Sequence, residues 1–275
     1  MATALLWSSG GIGIKAVEDA PLKVTFYRSL FAAIALFLLF GPKVWARRTW
    51  KSTPAFATAI ISYSACLTTF VVATKWTTAA NAIFLQYAGV VWVLLLAPIV
   101  IGEVMRKHDV IAIAVALAGM ALFFVGKFEA RGMSGNLMAL LSSVFFAGLI
   151  LALRFENRAA QSAITWGNLV LAAVLLPFVA GDLRLSMKSF LVLLFLGLFQ
   201  IGLAYVLFVR ALKHVTATQA SLTGMIEPVA NPIWVFLFVG ERPSLYAVGG
   251  ALVVMAAIGW HSVAATPAAD MPPPD

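Results

Sequence analysis

The sequence predicts an all-α membrane protein of ten transmembrane helices, arranged as two inverted five-helix repeats. Of its residues 62% are hydrophobic and 11% are charged, whereas soluble domains have roughly 45–50% and 25%. Apolar stretches of about 17–25 residues, each able to cross a hydrocarbon core of about 30 Å, recur along the whole chain. Residues 70–103 also align without a gap with residues 208–241, with about ten identities in 34 positions. Such an internal repeat in a membrane chain is typical of transporters.

The predicted helices follow from the apolar runs and from the residues that interrupt them. Pro21, Thr53-Pro54 and Pro243 stand at helix starts, where proline is favoured. Gly41-Pro42 and Gly181-Asp182 mark helix ends. The predicted spans are 2–18, 21–40, 54–74, 78–101, 109–126, 134–154, 161–180, 187–210, 216–239 and 244–262.

The number of helices in each copy makes the repeat inverted. Five is an odd number, so the second copy must enter the bilayer from the opposite side. We therefore divide the chain into a first repeat at 1–130, a second at 131–263, and a Pro-rich tail at 264–275 that is predicted to be disordered. Lys and Arg are slightly more frequent in the loops on the side of the membrane that holds the N-terminus, mainly because of residues 43–51. This bias predicts cytoplasmic N- and C-termini in a bacterial inner membrane.

Composition also excludes several function classes. The formal charge of +8 comes from residues scattered between apolar spans, as expected beside anionic lipid headgroups rather than nucleic acid. Cys66 is the single cysteine, so no intrachain disulfide or Cys-based metal motif can form. The sequence contains no P-loop, HExxH or Gly-x-Ser-x-Gly motif. We expect no enzyme activity, cofactor or metal; the expected partners are a small-molecule substrate and the lipid bilayer, and a monomer is compatible with the sequence.

Several short motifs resemble one known family. Trp7 and Lys15 bracket the stretch WSSGGIGIK, Arg28 lies early in the second helix, and Gly-Glu closes both copies of the repeat at 102–103 and 240–241. In this order the motifs resemble the drug/metabolite transporter superfamily, in particular its ten-helix EamA-type members, and most of all the YddG-type exporters of aromatic amino acids. The resemblance implies a central cavity lined mainly by helices 1, 3, 4, 6, 8 and 9. One departure is Val90, which stands where the second copy has Pro228, so we expect the two halves to bend differently.

Glu227 is the first candidate functional residue, because a carboxylate inside a membrane segment is a functional hypothesis by default. It directly precedes Pro228, and it could bind a proton, attract a substrate ammonium, or only accept hydrogen bonds from a loosened helix. Gln219, Thr223, Glu227 and Asn231 recur at four-residue spacing, which predicts one polar helix face. A water-accessible wall and a stripe that joins helices are both compatible with that face.

Polar and aromatic residues inside other spans are further candidates for the substrate-binding wall. Buried Tyr and Trp need partners for their O–H and N–H groups, which favours a polar cavity over lipid. The candidates are Asn81, Gln86, Tyr87, Trp92, Trp166 and Tyr205.

Three cations are candidates for a gate or charge relay. Lys15 and Arg28 lie toward the outer ends of their helices with Glu18 and Asp19 nearby, and Arg154 has the equivalent place in the second repeat. The alternative for Lys15 and Arg28 is an interfacial ion cluster whose aliphatic stems extend through lipid.

These observations predict a secondary transporter that exports small amphipathic metabolites by alternating access. The leading candidates for its cargo are aromatic and other neutral amino acids. The direction of transport comes from the family resemblance. Proton-coupled multidrug efflux is the alternative if Glu227 titrates. A membrane receptor or scaffold is the alternative from a different class.

Overall fold

The structure is a computed structural model that describes residues 1–41, 53–122, 125, 132–239 and 244–264. These residues form helices and short connections, and none of them lies in a β-strand. The basic loop 43–51, the second Gly-Glu pair at 240–241 and the tail from 265 onward lie outside the described residues. The predicted membrane orientation and the predicted disorder of the tail therefore stay predictions.

The described helices follow the predicted apolar runs. The first seven are α1 Ala2–Ser8, α2 Gly10–Ala16, α3 Pro21–Phe40, α4 Thr53–Trp76, α5 Ala79–Gln86, α6 Gly89–Val100 and α7 Lys107–Leu122. They are followed by α8 Met133–Phe155, α9 Ala160–Val179, α10 Met187–Phe195, a π-helical segment π1 Leu196–Leu203, α11 Ala204–Ala211, α12 Ala217–Gly224, α13 Ile226–Val239 and α14 Leu245–Ala264. Helices α3, α8 and α9 end within one residue of the predicted spans 21–40, 134–154 and 161–180.

Within the described residues, seven helical stretches are long and apolar enough to cross a membrane. They are Pro21–Phe40, Pro54–Trp76, Ala79–Val100, Met133–Phe155, Ala160–Val179, Met187–Ala211 and Leu245–Ala264. Large apolar side chains such as Leu38, Ile99 and Val263 are exposed on these helices. Such surfaces are expected of a chain whose solvent is lipid, so the protein is a multi-pass membrane protein.

Helix packing depends on close approaches at small residues. Helix α4 packs along α8, α3 along α9, and α7 along α14. A Cβ atom at Gly119 of α7 would lie 3.0 Å from the carbonyl oxygen of Gly250 in α14. At Gly167 of α9, a Cβ atom would lie 2.6 Å from the ring of Tyr63 in α4. These glycines let the helix backbones approach closely, as is usual in membrane bundles.

The two copies of the repeated sequence share one local structure. Thr78 caps α5 by accepting a hydrogen bond from the Asn81 backbone N–H, and Thr216 caps α12 by accepting from the Gln219 backbone N–H. Both helices are eight residues long. The first copy is interrupted after Gln86 and the second after Gly224, at equivalent positions in the alignment.

Both copies are interrupted at equivalent positions, and the expectation that the two halves bend differently stays a prediction. Pro228 lies just inside α13, whereas the first copy has Gly89 after its interruption. A Cβ atom at Gly89 would lie 2.8 Å from the Ser143 carbonyl oxygen of α8. The interruption in the first copy thus has no proline beside it. It is followed instead by a glycine that lets the backbone of α8 approach closely.

Two further predicted spans are irregular. The span 2–18 is divided at Ser9 into α1 and α2, in a stretch that contains Gly10, Gly11 and Gly13. Glycine weakens a helix because it has more conformational freedom to lose. The span 187–210 contains π1 at its centre. Single π-helical turns are rare in proteins, but those that occur are often found at functional sites.

Candidate functional site

The interruptions of the two copies meet at a contact between Tyr87 and Glu227. The Tyr87 hydroxyl lies 2.9 Å from Glu227 Oε2 and 2.6 Å from the Gly224 carbonyl oxygen. Both side chains are buried. Tyr87 directly follows α5, while Gly224 and Glu227 flank the interruption between α12 and α13. The contact therefore joins the two irregular backbone segments to each other.

Gln86 extends this polar group toward α4 and α8. Its Nε2 donates to Ser142 Oγ at 2.7 Å and lies 3.5 Å from Cys66 Sγ. Ser142 Oγ in turn donates to the Cys66 carbonyl oxygen at 3.2 Å. We call Tyr87, Glu227, Gln86, Ser142 and Cys66 the central cluster. All five side chains are buried, so this hydrogen-bonded group lies inside the bundle.

An aromatic group borders the central cluster. Trp7 lies 5.2 Å from Tyr205 and 6.3 Å from Phe146, measured between ring centroids. Phe146 lies 6.0 Å from Tyr87, and Tyr63 lies 5.0 Å from Tyr205. These distances lie in the range of favourable aromatic pairs. The contacts link the rings of Tyr87, Phe146, Trp7, Tyr205 and Tyr63 in that order, and we call these five rings the aromatic surface.

Arg28 is a buried residue of α3, on the helix that packs against π1. Its Nη2 donates to Gln200 Oε1 at 2.6 Å, and the residue is only 1% exposed. Gln200 Nε2 lies 3.5 Å from the Trp7 carbonyl oxygen. The alternative that placed Arg28 in an interfacial ion cluster is therefore wrong. The short turn between helices brings Lys23, not Arg28, to the acidic side chains.

The interfacial ion cluster is built on Lys23. Its Nζ lies 3.0 Å from Asp19 Oδ1 and 2.9 Å from Asp182 Oδ2. Burial by itself would raise the pKa of Asp19, but hydrogen bonds from Ser189 and Lys23 and the Lys23 charge outweigh it and hold that pKa below its usual range. The hydrogen bond from Lys23 lowers the pKa of Asp182 as well. The cluster ties α3 to the connection between α9 and α10.

Three further predicted site residues lie in the helices that flank the two interruptions. Asn81 is buried, and its Nδ2 lies 3.3 Å from Thr77 Oγ1 and 3.5 Å from Asn136 Oδ1. Asn231 is buried one helical turn after Glu227. Thr223 is half-buried immediately before the interruption. Because that interruption follows Gly224, the four-residue spacing does not correspond to one continuous helix face.

Three other predicted wall residues lie apart from the central cluster. Gln219 forms a capping box, since its Oε1 accepts from the Thr216 backbone N–H at 3.0 Å. Trp92 is 43% exposed, whereas its neighbours Gln86 and Tyr87 are buried. Trp166 is partly buried against the apolar core. Their roles in binding remain predictions.

Sequence reasoning missed Gln200, Trp7 and Phe146 as parts of the site. Gln200 is the single polar residue in the run LGLFQIGL, and that isolation was a usable signal. Trp7 entered the sequence analysis only as part of a motif. Its packing on Tyr205 depends on α1 lying against α11, which residue spacing cannot reveal.

Two of the three candidate gate residues, Lys15 and Arg154, lie at opposite ends of the bundle. Lys15 Nζ donates to the Thr77 carbonyl oxygen at 2.7 Å, and Lys75 Nζ donates to the Val17 carbonyl oxygen. At the other end, Arg154 Nε donates to Glu103 Oε1 at 2.7 Å, and its Nη1 donates to the Leu212 carbonyl oxygen at 2.9 Å. Lys15 and Arg154 thus make comparable contacts with the C-terminal ends of α4 and α11.

One group of side chains in the described residues has the composition of a metal site. Ligand atoms of His108, Asp109 and His261 lie within 4.8 Å of one another. Asp109 Oδ1 lies 2.6 Å from His261 Nε2, and Oδ2 accepts from the Arg106 backbone N–H at 2.9 Å. Because both carboxylate oxygens have hydrogen-bond partners, we interpret this group as a link between α7 and α14.

The fold and the buried polar centre define a class of protein: a membrane transporter. The chain matches the EamA-like transporter family over residues 1–125 and 133–262 and therefore belongs to it. An uncharacterised protein of Pseudomonas aeruginosa is 28% identical over 89% of this chain and 85% of its own length. An uncharacterised transporter of Archaeoglobus fulgidus is 26% identical over 94% of both chains.

Two further comparisons bear on the fold and on the relatives' functions. The pseudopaline exporter CntI of Pseudomonas aeruginosa is 26% identical over 86% of this chain and 84% of its own length. One crystal structure superimposes with a TM-score of 0.81 at 16% identity, covering 96% of this chain and 95% of the other, which shows a shared fold. Membership in a family of transporters is consistent with the expectation that the chain is not an enzyme.

Proposed function

We propose that this protein is a secondary transporter that exports small amphipathic metabolites by alternating access. Aromatic and other neutral amino acids are the leading candidates for its cargo. Its ten spans would form two inverted repeats, 1–130 and 131–263, in a bacterial inner membrane with both termini in the cytoplasm. The substrate would bind at the central cluster and the aromatic surface beside it. Asn81, Thr223 and Asn231 would complete the wall around that site.

The contact between Tyr87 and Glu227 carries this proposal. A fixed midplane site at interrupted helices is the usual arrangement in transporters with inverted repeats. Here the interruptions occur at equivalent positions of a repeated sequence, and two buried polar side chains connect them. Irregular backbone at membrane depth is tolerated where it is buried in protein or borders a wet cavity.

The bonds at the two ends of the bundle support alternating access. Lys15 holds one end at Thr77, and Arg154 holds the other end at Glu103 and Leu212. The two sets share no residue, so the release of one would not by itself release the other. Alternating access requires that one gate opens while the gate on the other side of the site stays closed.

The aromatic surface and the relatives support the proposed cargo and direction. Trp7, Tyr205 and Phe146 supply rings on which an aromatic or apolar side chain can pack. Glu227 supplies a buried carboxylate that can accept hydrogen bonds from an ammonium group. A relative named as an exporter supports outward transport.

Flux measurements in liposomes test this function. The purified protein is reconstituted, and efflux of labelled phenylalanine, tryptophan and leucine is compared with that from protein-free liposomes. We expect protein-dependent flux that saturates and is fastest for the aromatic pair. Gly249→Ala is the matched control, because a Cβ atom there meets nothing within 4 Å. Absence of protein-dependent flux for all three would remove amino acids as cargo and leave a receptor or scaffold as the competing class.

Proton-coupled efflux of drugs is a second candidate, favoured by one geometric observation. The Tyr87 hydroxyl has a single hydrogen but two close oxygens, those of Gly224 and Glu227. A proton on Glu227 would let its carboxyl group donate to the phenol oxygen while the phenol donates to Gly224.

Glu227→Gln under an imposed pH gradient tests this coupling. The amide can donate in the same place, so the variant should fold. If transport is coupled to protons, the variant should lose the part of the ethidium and phenylalanine flux that the pH gradient drives. It should keep substrate exchange when the pH is equal on both sides. Flux that responds to the gradient as in the wild type would return Glu227 to a structural role.

A further inference from the structure

Helix α3 carries two buried cations with opposite surroundings. Lys23 is 6% exposed and contacts the carboxylates of Asp19 and Asp182 and the Arg184 carbonyl oxygen. Arg28, five residues later, is 1% exposed, and its hydrogen-bond partner is the neutral amide of Gln200. In the described part of the chain, no carboxylate lies within 4.0 Å of the Arg28 guanidinium.

The Arg28 guanidinium also has unused hydrogen-bonding capacity. Its Nε is buried without a hydrogen-bond partner among the described residues. A guanidinium presents its N–H donors in a planar fork that fits a carboxylate through two parallel hydrogen bonds. A buried cation is costly unless an anion or several acceptors compensate it. Among the described residues, the Arg28 guanidinium therefore has no anion to compensate its charge, and a bound ligand could supply one.

The backbone around Arg28 permits a close approach of neighbouring helices. A Cβ atom at Gly197 of π1 would lie 2.9 Å from the Arg28 carbonyl oxygen, and one at Gly10 would lie 2.7 Å from Gln200 Nε2. Gln200 belongs to the π-helical segment, and Gly10 directly follows the interruption at Ser9. Two irregular helix segments thus approach each other at the Gln200 side chain, which is the hydrogen-bond partner of the guanidinium.

We propose that Arg28 and Gln200 form an anion subsite that takes the carboxylate of the transported substrate. The proposal rests on the transport function above and narrows its cargo to amphipathic compounds that carry a carboxylate. A carboxylate would occupy the Arg28 fork through Nε and Nη2, and Gln200 would yield its place on Nη2. The apolar part of the substrate would pack along the rings of Trp7 and Tyr205. Gln200 Nε2 lies 3.5 Å from the Trp7 carbonyl oxygen, and the Trp7 ring lies 5.2 Å from the Tyr205 ring.

Ligand-dependent thermal stability of the full-length protein in nanodiscs tests the subsite without any flux. The probes are two isosteric pairs, phenylalanine with phenylalaninamide and benzoate with benzamide. The carboxylate of each pair should raise the Tm, since it neutralises a buried cation, and the amide should not. Equal responses within both pairs, or no response to any of the four compounds, would overturn the proposal.

Arg28→Gln and Lys23→Gln form a matched pair of variants on the same helix. Arg28→Gln should abolish the preference for carboxylate over amide and weaken phenylalanine binding by at least about tenfold. Lys23→Gln should lower the Tm, because it leaves two carboxylates without their cation, yet keep the preference. A preference that survives Arg28→Gln, or that is lost equally in both variants, contradicts a specific role of Arg28.

Gln200→Glu provides a test that does not depend on the folding of Arg28→Gln. The new carboxylate would lie within hydrogen-bond distance of Nη2 and act as a built-in anion. The variant should have a higher Tm without ligand, no further response to phenylalanine or benzoate, and reduced flux. A Tm that falls and a retained carboxylate response would count against the subsite.

Parallel flux measurements separate this proposal from the transport function. Flux in the wild type without carboxylate preference would remove the subsite and leave the transport function intact. A carboxylate-dependent Tm shift that depends on Arg28, without flux of any labelled compound, would keep the subsite and remove the proposed function.

Discussion

The Tyr87 hydroxyl lies 2.9 Å from the Glu227 carboxylate, and each residue adjoins the helix interruption of its own copy of the repeated sequence. The aligned partners of these residues are Met225 and Gly89, which cannot make a side-chain hydrogen bond of this kind. The contact therefore arises from positions at which the two copies differ. Their common residues, such as the caps Thr78 and Thr216, build the shared backbone around it.

Tyr87→Phe should destabilise the protein and slow transport. The substitution leaves the Gly224 carbonyl oxygen and the Glu227 carboxylate without the Tyr87 hydroxyl, and a buried group deprived of its partner costs about 1–3 kcal/mol. A lower Tm and reduced phenylalanine flux are expected. Tyr27→Phe is the control, since the Tyr27 hydroxyl donates to the Leu183 carbonyl oxygen in an exposed position. If both variants behave alike, Tyr87 has no special place in the mechanism.

Arg154→Gln should make Cys66 more reactive. Cys66 is the single cysteine and is buried in the central cluster, so a water-soluble thiol reagent reaches it only when the bundle opens. Loss of the charged contact with Glu103 should favour opening at that end. A shift of about 1.4 kcal/mol would raise the rate of modification about tenfold. The exposed Lys188→Gln is the control, and an unchanged rate in Arg154→Gln would argue against a gate at this end.

The Lys23 cluster should make stability depend on acidic pH. The pKa values of Asp19 and Asp182 are depressed in the folded protein, so their contribution is fully present above the ordinary aspartate pKa of about 3.9. It is lost as the pH falls through the depressed values, because the unfolded chain binds protons first. Asp19→Asn should lower the Tm at pH 7, and the difference from wild type should close toward pH 3. Asp182→Asn should show a smaller effect, since Asp182 is exposed. A constant difference across this range would exclude the linkage.

Alanine substitutions of two glycines should have opposite effects on stability. A Cβ atom at Gly135 would lie 2.6 Å from the Thr77 backbone nitrogen, so Gly135→Ala forces α8 away from the end of α4 and should cost about 1–3 kcal/mol. Gly249 lies in α14, and a Cβ atom there meets nothing within 4 Å. Gly249→Ala should therefore stabilise by roughly 0.5–1 kcal/mol. Thermal unfolding in the same detergent measures both, and a neutral Gly135→Ala would show that the helices separate freely.

The helices were predictable because their signals are local. An apolar run sets the length of α3, and Pro21 together with Gly41 fixes its ends. Equal spacing within the repeat likewise makes Thr78 and Thr216 equivalent positions, and both residues are helix caps. Such features depend on residues within one or two turns of each other, which a sequence displays directly.

The site was less predictable because its contacts join distant segments. Arg28 meets Gln200 across 172 positions, and nothing in the spacing of the two residues pairs them. The four-residue spacing from Gln219 to Asn231 assumed a continuous helix, but the helix stops after Gly224. Spacing also could not show that the Gln219 side chain returns to its own helix start as a cap.

Glu103 has a consequence for how one end of the bundle opens. Its Oε1 accepts from Arg154, while its Oε2 accepts from the Ala217 backbone N–H at the start of α12. A single carboxylate therefore restrains a side chain of α8 and the first turn of α12 together. Withdrawing Glu103 would also leave the positive end of the α12 dipole uncompensated. We expect opening at this end to be a single cooperative event, with few half-open intermediates through which ions could leak.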